Sequence, residues 1–147
     1  MSVESSLTCG ARHGQSIQIP LRHGLPLSTI EPTQAFLRRV GRCFVWGFDP
    51  ECVILCRGAI ETALRDVIDD DLCHRYGQPA ARYGYTLAQR INAAESSGIL
   101  DKDVAKAARR ANERATKSAH DNPEATKDAL GTIKDTLRVI LKLPSRT

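Results

Sequence analysis

Apolar residues recur at helical rather than strand spacing along most of this 147-residue chain. Phe36/Leu37, Val40 and Cys43/Phe44 lie three and four apart, which predicts a helix over 33–46 that Gly47 ends. A second helix opens with Asp49 as cap, Pro50 in the first turn and Glu51 at the positive end of the dipole. Ile54, Ile60, Leu64, Val67 and Ile68 mark its buried face. It runs to about residue 73, and Gly77 and Pro79 break it. A Tyr/Gly loop follows at 76–85. Thr86-Leu87-Ala88-Gln89 matches a capping box, so a third helix begins there with Leu87, Ile91 and Ala94 inward. Gly98 then Ile99 reads as a glycine stop with its following apolar contact.

The fourth helix spans about 101–119. Val104, Ala108, Ala111 and Ala115 form a small-residue seam that lets neighbours approach closely, so this helix is expected to be central. The fifth begins with Asn122 as cap, Pro123 in the first turn and Glu124 behind it. Leu130, Ile133, Leu137 and Ile140/Leu141 supply its stripe, and Pro144 closes it. No segment alternates strongly enough for a strand. Residues 1–30 carry Gly, Ser, Pro, Arg12-His13 and Arg22-His23 without periodicity and read as an irregular arm or extended lead-in. The expected architecture is all-α: one antiparallel bundle of about five helices over 31–147 behind an N-terminal arm.

Composition narrows the function classes. Aromatics are only 5 % of residues, so the core rests on Leu, Ile, Val and Ala. A formal charge of +4 permits an anionic partner but falls short of what duplex-DNA binders usually carry. No leading apolar segment reads as a signal peptide, and no run is long enough to cross a bilayer. The expectation is a cytoplasmic protein with reduced thiols and no membrane partner. Cys9, Cys43, Cys52, Cys56 and Cys73 form no CxxC pair. Cys52, Cys56 and Cys73-His74 lack standard zinc spacing and read as small buried residues, so no metal or cofactor is expected. Phosphate-loop, nucleophile-elbow and paired-carboxylate signatures are absent from the sequence.

Candidate chemistry concentrates in 106–130. Lys102, Lys106, Arg109, Arg110 and Lys117 form a basic stripe for phosphates, interrupted by Glu113; the alternative is a solvated helix face. Single-stranded RNA binding also calls for aromatics, and Tyr76, Tyr83 and Tyr85 are the candidates. His120 lies at a helix C-terminus, which favours its charged form, and Asp121 stands beside it to orient it. It either caps the helix or acts as an acid/base. Arg114 precedes it at about 9 Å of helical rise and about 120° of rotation, so the two heads meet only if the helix end unwinds or two chains share a site. Together they suit metal-independent RNA cleavage, with His120 moving protons and Arg114 stabilising phosphate charge. Arg57 and Glu61, one turn apart, form either a structural ion pair or part of a polar, nucleotide-sized pocket with His120.

The segments CRGAIETALRDVI at 56–68, TLAQRINAAESSGIL at 86–100 and ANERATKSAHDNPEATKDAL at 111–130 occur in a specific order. With the lead-in IEPTQAFLRRVGRCFVWGFDPECVILCRG at 30–58, they resemble a bacterial helical domain found alone or attached to restriction-endonuclease R subunits. That domain looks related to the HEPN superfamily (higher eukaryotes and prokaryotes nucleotide-binding). The resemblance covers about 30–143 and implies a helical bundle that often pairs into homodimers, with a role in defence or toxin systems. In active HEPN ribonucleases an arginine and a histidine separated by four to six residues cut RNA at a dimer cleft, a spacing that Arg114 and His120 satisfy. Arg57, Glu61 and His120 also match the restriction-linked pattern. The leading expectation is an RNA-binding, possible RNA-cleaving domain. The alternatives are a non-catalytic dimerisation or interaction module for a larger defence or restriction protein, and a small-nucleotide-binding domain.

Overall fold

The computed structural model describes residues 6–12, 15–20, 27–79, 83–119 and 128–144, with side chains from residue 32 onward. Six helices carry the described fold: α1 (Leu27–Trp46), α2 (Asp49–Val67), α3 (Asp70–Arg75), α4 (Leu87–Ser96), α5 (Lys102–Ala119) and α6 (Ala129–Lys142). The expected all-α class stands for the body of the chain. Ahead of it, β1 (Ser6–Arg12) and β2 (Gln15–Pro20) pair antiparallel, so the arm is a hairpin where an irregular segment was expected. The register sets Leu7 opposite Ile19 and Cys9 opposite Ile17. The alternation of Ile17 and Ile19 with Ser16 and Gln18 is the period-2 signal that accounts for it.

Helix α1 begins six residues earlier than the expected start at residue 33. Pro32 sits within it and is exposed, where the missing N–H interrupts the ladder on the solvent side. The expected long second helix divides. α2 ends at Val67, Ile68 leaves helical geometry, and Asp69 caps the short α3 by accepting from the Leu72 N–H at 2.8 Å. The residue at the α2 cap position is Phe48, so Asp49 belongs to the first turn beside Glu51 instead of capping it. Buried Arg90 of α4 secures the α2–α3 break. Its guanidinium donates to the Ile68 carbonyl and pairs with Asp70 at 2.7 Å.

The Thr86 capping box is formed: the Thr86 N–H donates to Gln89 Oε1 at 2.8 Å and the Gln89 N–H to Thr86 Oγ1 at 3.3 Å. Gly98 takes φ +79°, a backbone conformation that costs other residues, and the Leu100 N–H closes back on the Ala94 carbonyl. Asp101 caps α5 through the Val104 N–H at 2.9 Å. Helix α6 is described from Ala129, with Asp128 as cap; the expected start at Asn122 and Pro123 lies outside the described residues.

Helix α2 is the hub. Cys52, Val53, Cys56, Ala59, Ile60, Ala63 and Leu64 are buried on it, and it packs against α1, α5 and α6. Each fully buried large side chain such as Ile60 or Leu64 contributes about 1.5–3 kcal/mol. Gly58 sets how close α1 comes: a Cβ there would meet Phe36 Cε1 at 2.5 Å. Helix α5 presents the expected seam, with Val104, Ala108, Ala111 and Ala115 buried, and is widened by Ala105, Ala107 and Ser118. Its C-terminal end meets the start of α2 through Ser118 Oγ, which donates to the Pro50 carbonyl at 3.3 Å. Cys52, Cys56 and Cys73 lie in the core, as small apolar residues do, while Cys43 is half-buried. Burial pushes the Cys73 thiol up; a hydrogen bond with Cys56, then burial, raises that of Cys52. No described helix is long and apolar enough to cross a membrane.

Candidate functional site

The residues singled out on α5 face α4 on one side and α6 on the other, and acids from both helices meet them. Arg109 pairs with Glu95 of α4 and donates to Asn92 Oδ1 at 2.9 Å. Arg110 grips Asp135 of α6 in a fork, Nε to Oδ2 at 3.1 Å and Nη2 to Oδ1 at 2.9 Å. That hydrogen-bonded pairing holds the Arg110 guanidinium above its ordinary range. Lys117 pairs within α5 with Glu113 at 2.7 Å, and the ammonium holds that carboxyl below its ordinary range. Lys106 is exposed and makes no ion pair among the described residues.

Arg114 is the most enclosed of these cations, its side chain 27 % exposed. Nη1 donates to Thr132 Oγ1 and to Asp135 Oδ2, both at 3.3 Å, and Nη2 lies 3.3 Å from Asp128 Oδ2. The cluster has a local cause. Asp128 caps α6 by accepting from the Gly131 N–H at 2.9 Å, which aims its second oxygen back at α5. Thr132, one turn on, donates its hydroxyl to the Asp128 carbonyl at 2.9 Å, leaving its oxygen turned to Arg114. Asp135, 13 % exposed, comes one turn later on the same face. Two guanidinium groups and two carboxylates therefore close a neutral α5–α6 clasp.

His120 and Asp121, the proposed acid/base and its orienter, lie outside the described residues. Ala119 and Asp128 bracket the segment that holds them, and the Arg114–Asp128 pair spans its base. The structure does not bring Arg57 and Glu61 together: Glu61 pairs with Arg65 at 3.0 Å, one turn along α2. Arg57 Nε and Asn112 Oδ1 are both buried without a hydrogen-bond partner. Among the tyrosines, Tyr83 is almost fully exposed, Tyr76 exposed and Tyr85 half-buried. Tyr83 and Tyr85 border an open cleft of about 660 Å³ with Asp69, Asp70, Asp71 and Arg90. Asp69 is occupied as the α3 cap and Asp70 by Arg90, so these acids already hold the fold together. The described residues contain no cluster of three or more His, Cys, Asp or Glu arranged to hold a metal ion.

Two features were missed by reasoning from the sequence. Arg90 falls on the same stripe as Leu87, Ile91 and Ala94, so its burial was readable from spacing; its partners were not. The spacing already sets Arg38, Arg39 and Arg42 away from the apolar stripe of α1, but the exposed aromatics beside them escaped notice. Arg38, Arg39 and Arg42 are exposed there, beside Trp46 at 75 % and Phe48 at 56 % exposure. Their common face opposite Leu37, Val40 and Phe44 was the available signal.

Comparison with family models, with curated proteins and with solved structures returns no match for this chain.

Proposed function

We propose that this chain is a HEPN-like antiparallel helical bundle with a defence- or toxin-related role, and that it binds RNA without cutting it. What supports the non-cutting half is the condition of Arg114. A guanidinium that stabilises a scissile phosphate must present free N–H donors to a developing negative charge. Arg114 instead turns Nη1 to Asp135 and Thr132 and Nη2 to Asp128. A phosphate approaching it meets two carboxylates first, and displacing Asp135 strips Arg110 as well. Arg114 is thus a positioning residue for α6.

The RNA-binding half draws on the surface cations that make no ion pair among the described residues, together with the resemblance over 30–143. Homodimerisation and association with a larger defence or restriction protein belong to the same reading through that resemblance, and a cytoplasmic setting through the cysteine usage.

Incubating the protein with total RNA and a chelator tests it. RNA should stay intact with the wild type and with His120→Ala alike, while a gel-shift assay reports binding. Cutting by the wild type that vanishes in both Arg114→Ala and His120→Ala would replace this reading with a metal-independent ribonuclease. In that mechanism His120 is the acid/base, Asp121 orients it, and the product ends in a 2′,3′-cyclic phosphate.

A further inference from the structure

The outer face of α1 carries an arrangement that the clasp does not. At about 100° per residue, Val45, Arg38, Arg42, Trp46 and Arg39 fall in that order within roughly 120° of the helix circumference. All five are exposed. From Arg38 to Trp46 the axis rises about 12 Å, which is two helical turns and more. Phe48 continues the surface around the α1–α2 corner. Arg38, Arg39 and Arg42 make no ion pair among the described residues, and no acid occurs in α1 beyond Glu31. Beside this ridge, between α1 and α2, lies a groove of about 440 Å³ bordered by Arg39, Arg42, Cys43, Glu51, Ile54 and Leu55. Glu51 is the groove's single acid, set against Arg39 and Arg42.

Exposed aromatics cost hydration when nothing covers them, and unpaired arginines in a row attract an anion with repeated charges. A single-stranded polynucleotide satisfies both. Its phosphates follow the arginines, and its unstacked bases lie on Trp46 and Phe48. A duplex keeps its bases stacked and offers the aromatics nothing. A second copy of this chain fits poorly: a two-fold interface sets the same patch against itself, and three arginines would meet three arginines. We infer that the outer face of α1, with Arg38, Arg39 and Arg42 as phosphate contacts and Trp46 and Phe48 as stacking platforms, is the surface on which this protein binds single-stranded RNA. The inference rests on the RNA-binding reading and moves the binding surface from α5 to α1.

Trp46 is the only tryptophan in the chain, so its emission reports directly on this face. Titration with an oligouridylate of about ten nucleotides, within the length range of single-strand sites, should quench that emission. Affinity should fall with salt, three phosphate contacts contributing roughly −2 to the log–log slope. In anisotropy measurements with a labelled oligonucleotide, Arg38→Ala/Arg39→Ala/Arg42→Ala should weaken binding tenfold or more and flatten the slope by about that amount. Trp46→Ala should weaken it by about tenfold, through lost stacking. These positions are exposed, and circular dichroism checks that both variants keep their helices.

Undiminished binding in both variants, with loss in Lys102→Ala/Lys106→Ala, leaves the RNA reading standing and overturns the α1 surface. Equal affinity for a duplex of the same length overturns the stacking role. No binding by the wild type overturns both proposals. If sedimentation then shows self-association that Trp46→Ala abolishes, the face is an interface between copies instead.

Discussion

Helices α1 and α5 both carry arginines at helical spacing, yet the two sets are in opposite electrostatic states. On α5, Arg109, Arg110 and Arg114 are met by Glu95, Asp135 and Asp128 from neighbouring helices. Their charge is spent inside the molecule, fastening α5 to α4 and α6. On α1, Arg38, Arg39 and Arg42 face solvent with no ion pair among the described residues, next to exposed Trp46 and Phe48. A cation is available to a partner only where the fold has not already supplied its counter-charge. Counting basic residues along one helix cannot separate the two cases, because the acids that decide come from elsewhere in the chain.

The comparison can be pressed hardest at Asp135. Replacing it with alanine leaves Arg110 and Arg114 facing each other without their shared carboxylate. Urea denaturation should show a loss of about 2–3 kcal/mol, below the range for a fully buried pair because Arg110 is half exposed. The same variant frees two guanidinium groups, so single-stranded RNA affinity should rise, not fall. No rise would mean that the freed guanidinium groups stay closed to RNA. Asp128→Ala should cost about 1 kcal/mol in the same measurement, from the lost α6 cap together with one Arg114 partner.

The α1 arginines should behave differently. Arg38→Ala, Arg39→Ala and Arg42→Ala should each leave stability within about 0.5 kcal/mol of wild type while weakening RNA binding. A large stability loss at any of them would reveal a structural partner and erase the contrast with α5. The smallest effect belongs to Glu113, whose carboxyl is held below its ordinary range by Lys117. Because the folded pKa is depressed, its stabilisation is present above the unfolded value and is lost as pH falls through the carboxylate range. Glu113→Gln should therefore lower the thermal midpoint slightly at neutral pH and not at all in strong acid. Added salt should shrink the difference, since both side chains are exposed.

Legibility in the sequence followed the range of the interactions. The Thr86–Gln89 box, the Gly98 stop and the alanine seam of α5 rest on contacts within a few residues, and each was readable from spacing. The burial of Cys52, Cys56 and Cys73 was readable too, from residue type. The break after Val67 was not. Asp69 offers a local cap, but Arg90, which seals the freed Ile68 carbonyl, reaches from 22 residues away. The hairpin was a lesser oversight: Ile17 and Ile19 alternate as a strand should, but over too short a run to stand out from an arm rich in Gly and Ser. For the candidate site, the spacing of Arg114 and His120 suggested a shared task. Spacing along one helix carries no information about Asp135, which stands 21 residues farther on and takes the arginine first.

Periodicity and capping chemistry by themselves determined that the body of this chain is helical, which faces turn inward and where α2, α4 and α5 begin. Those are short-range matters, decided by backbone hydrogen bonds and by side chains one turn apart. Tertiary structure alone decided which of its many cations remain available. An ion pair forms between whatever charges packing brings within a few ångströms, and on α5 packing brought acids while on α1 it left arginine and tryptophan facing water.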